Sequence, residues 1–266
     1  MDSWVRFCAQ SQAKDKVFRA AQYACTLLGY TLQKGGAGPD IIQTISRLEA
    51  HLSLTRKLMR LGNSAEALEA AKRAIHLSDS ILRLCLTVAH LNRAMYFACE
   101  NVLWAGKLGL LPKLDQYKWS QRSFRYYLFA LILNLTRDVY EIRLLMECEG
   151  HSHTSKSLRA PSPSLTVNDD DLSFQSPRHS SPVNLSNAVL PLLSGQLCRQ
   201  LRLLVTVLHS NPPLFLDLLR NSFDVFIPLD RLGIYPTGSG FIGLCGLASS
   251  VLSILTIVHP WLKLKP

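Results

Sequence analysis

Apolar residues recur at three- and four-residue spacing through most of this chain, the pattern of helices that bury one face. After Asp40, a candidate N-cap, Ile41, Ile45, Leu48, Leu52 and Met59 fall within about 40° of one line at 100° per residue, and Gly62 marks a stop. Asn63 or Ser64 then opens a helix, with Glu66 three residues after Asn63, whose apolar face runs through Leu68, Ile75, Leu82, Cys85 and Val88. Another follows Asp115 through Phe124, Leu128, Leu131, Leu135, Val139, Ile142 and Met146, and nothing in this half alternates as a strand does. Residues 150–189 break the pattern with Ser, Pro and the run Asp169, Asp170, Asp171, and read as a flexible linker. Its Ser162-Pro163, Ser176-Pro177 and Ser181-Pro182 pairs are candidate phosphorylation sites. Beyond it Leu197, Leu201, Leu204 and Leu208 line one helical face. Asn211-Pro212-Pro213 then interrupts the chain, and a helix with Leu214, Leu218 and Phe226 is closed by Pro228, making a helical hairpin over 190–230.

The last element differs from all of these. Leu232 to Leu262 contains no Asp, Glu, Lys or Arg. The apolar stretch from Phe241 to Trp261 is long enough, at ~1.5 Å per helical residue, for a ~30 Å hydrocarbon core. Tyr235 and Trp261 lie near its ends, where aromatic rings favour the interface, and Lys263 and Lys265 supply a basic stop that stays cytosolic. Gly238 to Gly243 spells G-x-G-x-x-G, but a dinucleotide site needs a preceding strand and a later acidic residue, and neither is present. Gly240, Gly243, Gly246 and Ser250 instead read as small residues that let helices approach closely and self-associate in lipid, the alternative being a loosely packed span.

Composition agrees with a membrane protein that has sizeable polar parts. Of 266 residues 48% are hydrophobic and only 18% charged, and mean hydropathy is +0.12. The net charge of +10 suits an anionic membrane or a nucleic acid. The basic residues are spread along several helices without interleaved exposed aromatics, which argues against nucleic acid. The seven cysteines contain no C-x-x-C pair, so a disulfide scaffold is not expected, and the charges among Met1 to Tyr30 exclude a signal peptide core. His151 and His153 lack a nearby Cys or carboxylate at ligand spacing, and His51, His76 and His90 are scattered. With no nucleophile elbow, phosphate loop or metalloprotease helix, the sequence predicts no enzyme, no cofactor and no metal site.

The helix from Asp40 to Leu61 carries the candidate chemistry. Arg56, Lys57 and Arg60 follow its apolar stripe, so it reads either as an interfacial helix, with those bases on lipid phosphates, or as a bundle helix with a solvated basic face. The predicted class is an all-α, helical integral membrane protein with amphipathic helices and a C-terminal transmembrane helix. Its order is an amphipathic region over 1–149, the 150–189 linker, the 190–230 hairpin, the 232–262 span and a basic tail over 263–266.

The sequence also resembles the peroxin eleven family of peroxisomal membrane proteins, and within it the vertebrate beta branch. The resemblance rests on 1–23 (MDSWVRFCAQSQAKDKVFRAAQY), 52–107 (beginning LSLTRKLMRLGNSAEALEAAKRA), 121–145 (QRSFRYYLFALILNLTRDVYEIRLL) and 243–266 (GLCGLASSVLSILTIVHPWLKLKP). The Ser/Pro-rich linker departs from the Gly-rich one of that branch. The resemblance implies a non-enzymatic protein that inserts an amphipathic helix, the stretch through Ser53, Arg56, Lys57, Leu58 and Arg60, into the peroxisomal membrane and elongates the organelle. It implies self-association and contact with other family members. The remaining partners it implies are a fission adaptor, a dynamin-like GTPase and the peroxisomal membrane-protein import receptor. Both termini are expected in the cytosol, which requires a second span, implied at about 84–111. That stretch carries Arg93, Glu100 and Lys107, and a central charge costs ~2.5 to 3.5 kcal/mol on insertion. The competing function for such a protein is a pore for small metabolites, with Ser249, Ser250, Ser253 and Thr256 as the span's polar residues.

Overall fold

A computed structural model describes the backbone of residues 2–158 and 185–264 and the side chains of residues 13–151 and 197–264. Among these residues there are eight α-helices and no strand: α1 (Asp2–Lys34), α2 (Pro39–Met59), α3 (Asn63–Ala74), α4 (Ser80–Lys107), α5 (Gln116–Leu158), α6 (Leu185–Ser210), α7 (Pro212–Arg231) and α8 (Ser239–Val258). The all-α class read from the periodicity is therefore the observed one.

Several boundaries differ from the sequence reading, each for a local reason. Asp40 lies inside the first turn of α2, because Pro39 takes the first helical position, where its missing N–H is no loss. Gly62, with φ of 86°, links α2 to α3 in the left-handed region that a β-carbon disfavours, so it occupies the cap position foreseen for Asn63 or Ser64. The single face expected through Leu68 and Val88 is split into α3 and α4. The Asp79 carboxylate accepts from the backbone N–H groups of Ile81 (2.8 Å) and Leu82 (3.1 Å) and starts a new helix there. Pro228 does not close α7, which runs on to Arg231. The segment expected to be linker is helical up to Leu158 and again from Leu185; 159–184, with the acidic run and the Ser-Pro pairs, lie outside the described residues.

Two units divide the chain: residues 1–140 with 212–266, and residues 141–211. In the first, α1 packs along α2 and α8, α3 on α4, and α7 on α8. Tyr30 lies at Gly240, Leu27 at Gly243 and Tyr23 at Gly246, so α1 and α8 run antiparallel. The 20 residues of α8 span ~30 Å at 1.5 Å per residue. Pro260–Leu262 forms a separate 3₁₀ turn with Trp261 exposed, and 232–238 is not helical, so the helix is shorter than the charge-free stretch.

Much of the interior of this unit is small or charged. Ala67, Ala71, Ala74, Cys85, Ala89, Ala94 and Cys99 are buried, and so are Asp15, Arg19, Arg56, Arg60, Glu100, Arg137, Asp138 and Asp224. Large apolar residues stand outside, among them Ile41, Leu48, Leu58, Leu84, Leu91, Met95, Leu244, Val251 and Val258. Arg, Asp and Glu are almost never fully buried unless paired, and the pairing here is extensive.

Candidate functional site

The site is built on the last two turns of α2. Arg56 and Arg60 stand four residues apart and so share a face, and that face is turned into the bundle. Asp15 of α1 receives both: Arg56 Nε donates to Oδ1 at 3.2 Å, while Arg60 donates from Nε to Oδ1 at 3.0 Å and from Nη2 to Oδ2 at 3.2 Å, a bidentate pair. Arg56 Nη1 also donates to Gln22 Oε1, and Arg60 Nη1 to the Tyr96 hydroxyl at 2.9 Å. Lys57 Nζ reaches Glu100 Oε1 of α4 at 3.0 Å, and Ser123 Oγ of α5 donates to the same oxygen at 3.4 Å. Burial by itself raises the Asp15 carboxyl, but Arg60 and then Arg56 outweigh it and hold the group well below the usual carboxylate range. Burial likewise works against the Arg60 charge, and Tyr96, Asp15 and Glu100 more than restore it.

Each residue nominated from the sequence thus has a definite place. Arg56 and Arg60 are buried and Lys57 is half-buried, so a lipid phosphate reaches these three only by displacing Asp15 or Glu100. Of the apolar stripe, Ile41 (54% exposed) and Leu48 (51%) face outward together with Leu58, while Ile45, Leu52 and Met59 are half-buried. The helix is therefore turned on its side, with polar partners inward and an apolar edge outward. Asp15 and Glu100 are what sequence reasoning missed. In a linear reading Asp15 only interrupts an apolar run and Glu100 only burdens a span; a lone acid in an otherwise apolar helical pattern is the signal that points to a buried cation elsewhere.

Two further networks tie the bundle. Arg19 pairs with Asp224 of α7, whose second oxygen accepts from the Tyr127 hydroxyl of α5 at 3.1 Å. Arg137 bridges Asp138 and Asp217, and Asn221 Nδ2 donates to Asp138 Oδ2 at 2.9 Å.

On α8, Gly240, Gly243, Gly246 and Ser250 are buried against the chain itself. A β-carbon at Gly240 falls 2.5 Å from the Tyr30 ring, and one at Gly243 falls 3.0 Å from the Leu27 backbone nitrogen, so close approach to α1 is what requires these glycines. A second copy meets this face only where α1 has left it. Ser249, Ser250 and Ser253 are also buried, and the exposed side of α8 is apolar: Phe241, Leu244, Val251, Leu255 and Val258. Among the described helices α8 alone is long and apolar enough to cross a bilayer. The six described cysteines are free, and no group of three metal-ligating side chains gathers among the described residues; the His153 side chain lies outside them.

The family model for peroxisomal biogenesis factor 11 (PEX11) matches residues 1–258. The chain is 58% identical over 266 residues to human Peroxisomal membrane protein 11B, covering the whole of both chains, and 56% identical to its Bos taurus counterpart at the same coverage. Identity to Peroxisomal membrane protein 11A of Rattus norvegicus is 38%, over all of this chain and 99% of that one. No solved structure matches the chain.

Proposed function

The chain belongs to the PEX11 family of peroxisomal biogenesis factors, and from that premise we propose that it shapes the peroxisomal membrane by seating the outer apolar edge of α2 in the bilayer surface beside the span of α8. Membership makes it a peroxisomal membrane protein with a role in peroxisome proliferation, in a family of biogenesis factors rather than of enzymes. The observation that carries the mechanism is the sideways set of α2. Arg56 and Arg60 are gripped by Asp15, so Ile41, Leu48 and Leu58 are held outward, on a helix whose Arg56, Lys57 and Arg60 are already paired inside the bundle. An apolar edge presented in this way enters the headgroup and acyl boundary without Arg56, Lys57 and Arg60, while the exposed Arg47 beside it reaches the headgroups, and an asymmetric wedge of this kind expands one leaflet.

The reading includes a second crossing by α4, which puts both termini in the cytosol. Its support is that Glu100 faces inward onto Lys57 and Ser123, which lowers the insertion cost that a linear reading assigns to it. Arg93 stays on the exposed side, so the crossing needs a neighbouring helix over it. Self-association and recruitment of a fission adaptor and dynamin-like GTPase complete the proposal, on the strength of the family resemblance.

The test is Leu48→Asp in the full chain. Leu48 is half exposed, so the fold should lose little, within about 0.5 kcal/mol, while peroxisome elongation in cells and tubulation of proteoliposomes are lost. Wild-type elongation by the Leu48→Asp protein at normal abundance sinks the insertion mechanism while leaving family membership intact.

A further inference from the structure

The described part of α6 presents a second amphipathic surface, whose arginines, unlike Arg56 and Arg60 of α2, pair with no described carboxylate. Leu197, Leu201 and Val205 recur every four residues and are 61%, 51% and 65% exposed, and Leu204 and Leu208 flank the same line, half-buried. Val207, roughly 120° round the helix at 100° per residue, is fully buried, so α6 is packed on one side and bare on the apolar one. At 100° per residue Arg202 borders the bare stripe and Arg199 stands on the face opposite to it; both are exposed and form no ion pair with any described residue. From Leu185 to Ser210 the sequence holds no Asp or Glu.

An exposed apolar stripe on one face, with one cation at its border and another on the opposite face, neither paired with a described residue, and no carboxylate on the helix, complements a surface that is apolar below and anionic above. A protein partner needs only the apolar stripe, whereas an anionic bilayer explains the stripe and the bases together. The occupant is also always at hand, since α6 is joined through α7 to the membrane span of α8. We propose that α6 lies in the surface of an anionic bilayer, with Leu197, Leu201 and Val205 among the acyl chains and Arg199 and Arg202 on lipid phosphates. Long basic side chains reach the headgroups while their stems cover apolar atoms. This proposal rests on α8 anchoring the chain and not on the insertion of α2.

Cys198 supplies the probe, being exposed and next to the stripe, while Cys25, Cys85, Cys99 and Cys245 are buried. The full chain with Cys8→Ser and Cys148→Ser, labelled at Cys198 with an environment-sensitive fluorophore, is reconstituted into vesicles of phosphatidylcholine with or without phosphatidylserine. Brominated acyl chains report contact with lipid, and iodide reports contact with water. On phosphatidylserine vesicles the label should be quenched by brominated lipid and shielded from iodide. Arg199→Gln with Arg202→Gln should shift the docking equilibrium about thirtyfold toward the undocked state on those vesicles, the equivalent of two surface charges at roughly 1 kcal/mol each. Leu201→Asp should undock the helix on either lipid. A label open to iodide and untouched by brominated lipid overturns the proposal. So does a label shielded from iodide but not quenched by lipid, because the stripe is then covered by protein.

Discussion

Asp15 shows what a single carboxylate does in this bundle. It is the shared acceptor of two buried guanidiniums, so Asp15→Asn leaves two desolvated cations short of a partner and should destabilise the protein by about 3–5 kcal/mol, seen as a lower denaturation midpoint and reduced abundance. Its pH response follows from the direction of its shift. A carboxylate held below its unfolded value of ~3.9 contributes its full stability above that value and loses it only as pH falls toward the depressed folded one. Amide protection factors in α2, that is exchange relative to the intrinsic rate at each pH, should therefore be the same at pH 7 and pH 5 and fall only in stronger acid; loosening of α2 near pH 6 contradicts this assignment. Gly243 is the other residue whose size decides a contact. Backbone atoms of Leu27 are what a β-carbon there meets, and backbone gives way less readily than a side-chain tip. Gly243→Leu should therefore separate α1 from α8 and expose Cys245 and Cys25 to thiol reagents. Unchanged thiol protection in that variant sinks the contact.

At the scale of elements, what was legible in the sequence was whatever depends on local spacing. The 3.6-residue period located α2, α5, α7 and the apolar α8, because each contains enough turns for a face to show. Boundaries were less legible where two signals competed. The apolar line from Leu68 to Val88 continues across the break at 75–79, and only the Asp79 cap divides it; an aspartate among serines is a common enough neighbourhood that the cap does not stand out beforehand. Asp79→Ala should remove about 1 kcal/mol and fray the first turn of α4, with faster amide exchange at Ile81 and Leu82 while α3 is unaffected. Loss of protection spread evenly over α3 and α4 is the contrary result and means that the two behave as one unit. The orientation of α2 was not legible at all. Its apolar stripe and its bases lie on adjacent arcs, and spacing along one helix does not say which arc meets the bundle and which meets the outside.

For the whole molecule, the reason is the reach of its ion pairs. Arg19 and Asp224 stand 205 positions apart, and no periodic pattern connects them, so in a linear reading each is a charge on a solvated face. In the fold the pair is buried, joins α1 to α7, and is shared with Tyr127 of α5. Many exposed Leu, Ile and Val side chains, over an interior in which Ala, Cys and paired charges stand among the buried Leu and Ile, fit a molecule whose surroundings are partly lipid, where association gains little from burying apolar surface and more from close packing and polar contacts. A double-mutant cycle measures how far the pair serves stability and how far it serves specificity. Asp224→Asn alone leaves a buried guanidinium without its counter-charge and should cost about 3–5 kcal/mol, whereas Arg19→Met with Asp224→Leu removes both charges and should recover most of that loss. Stability is read from denaturation of the detergent-solubilised chain, and α1 docking from thiol protection of Cys25 and Cys245. If the double variant regains stability but leaves those thiols exposed, the pair sets the register of α1 along α8. If it regains both, the glycine face of α8 is sufficient to place α1. A double variant no more stable than Asp224→Asn contradicts the desolvation argument, because apolar replacements then fail to fill the space the ions held.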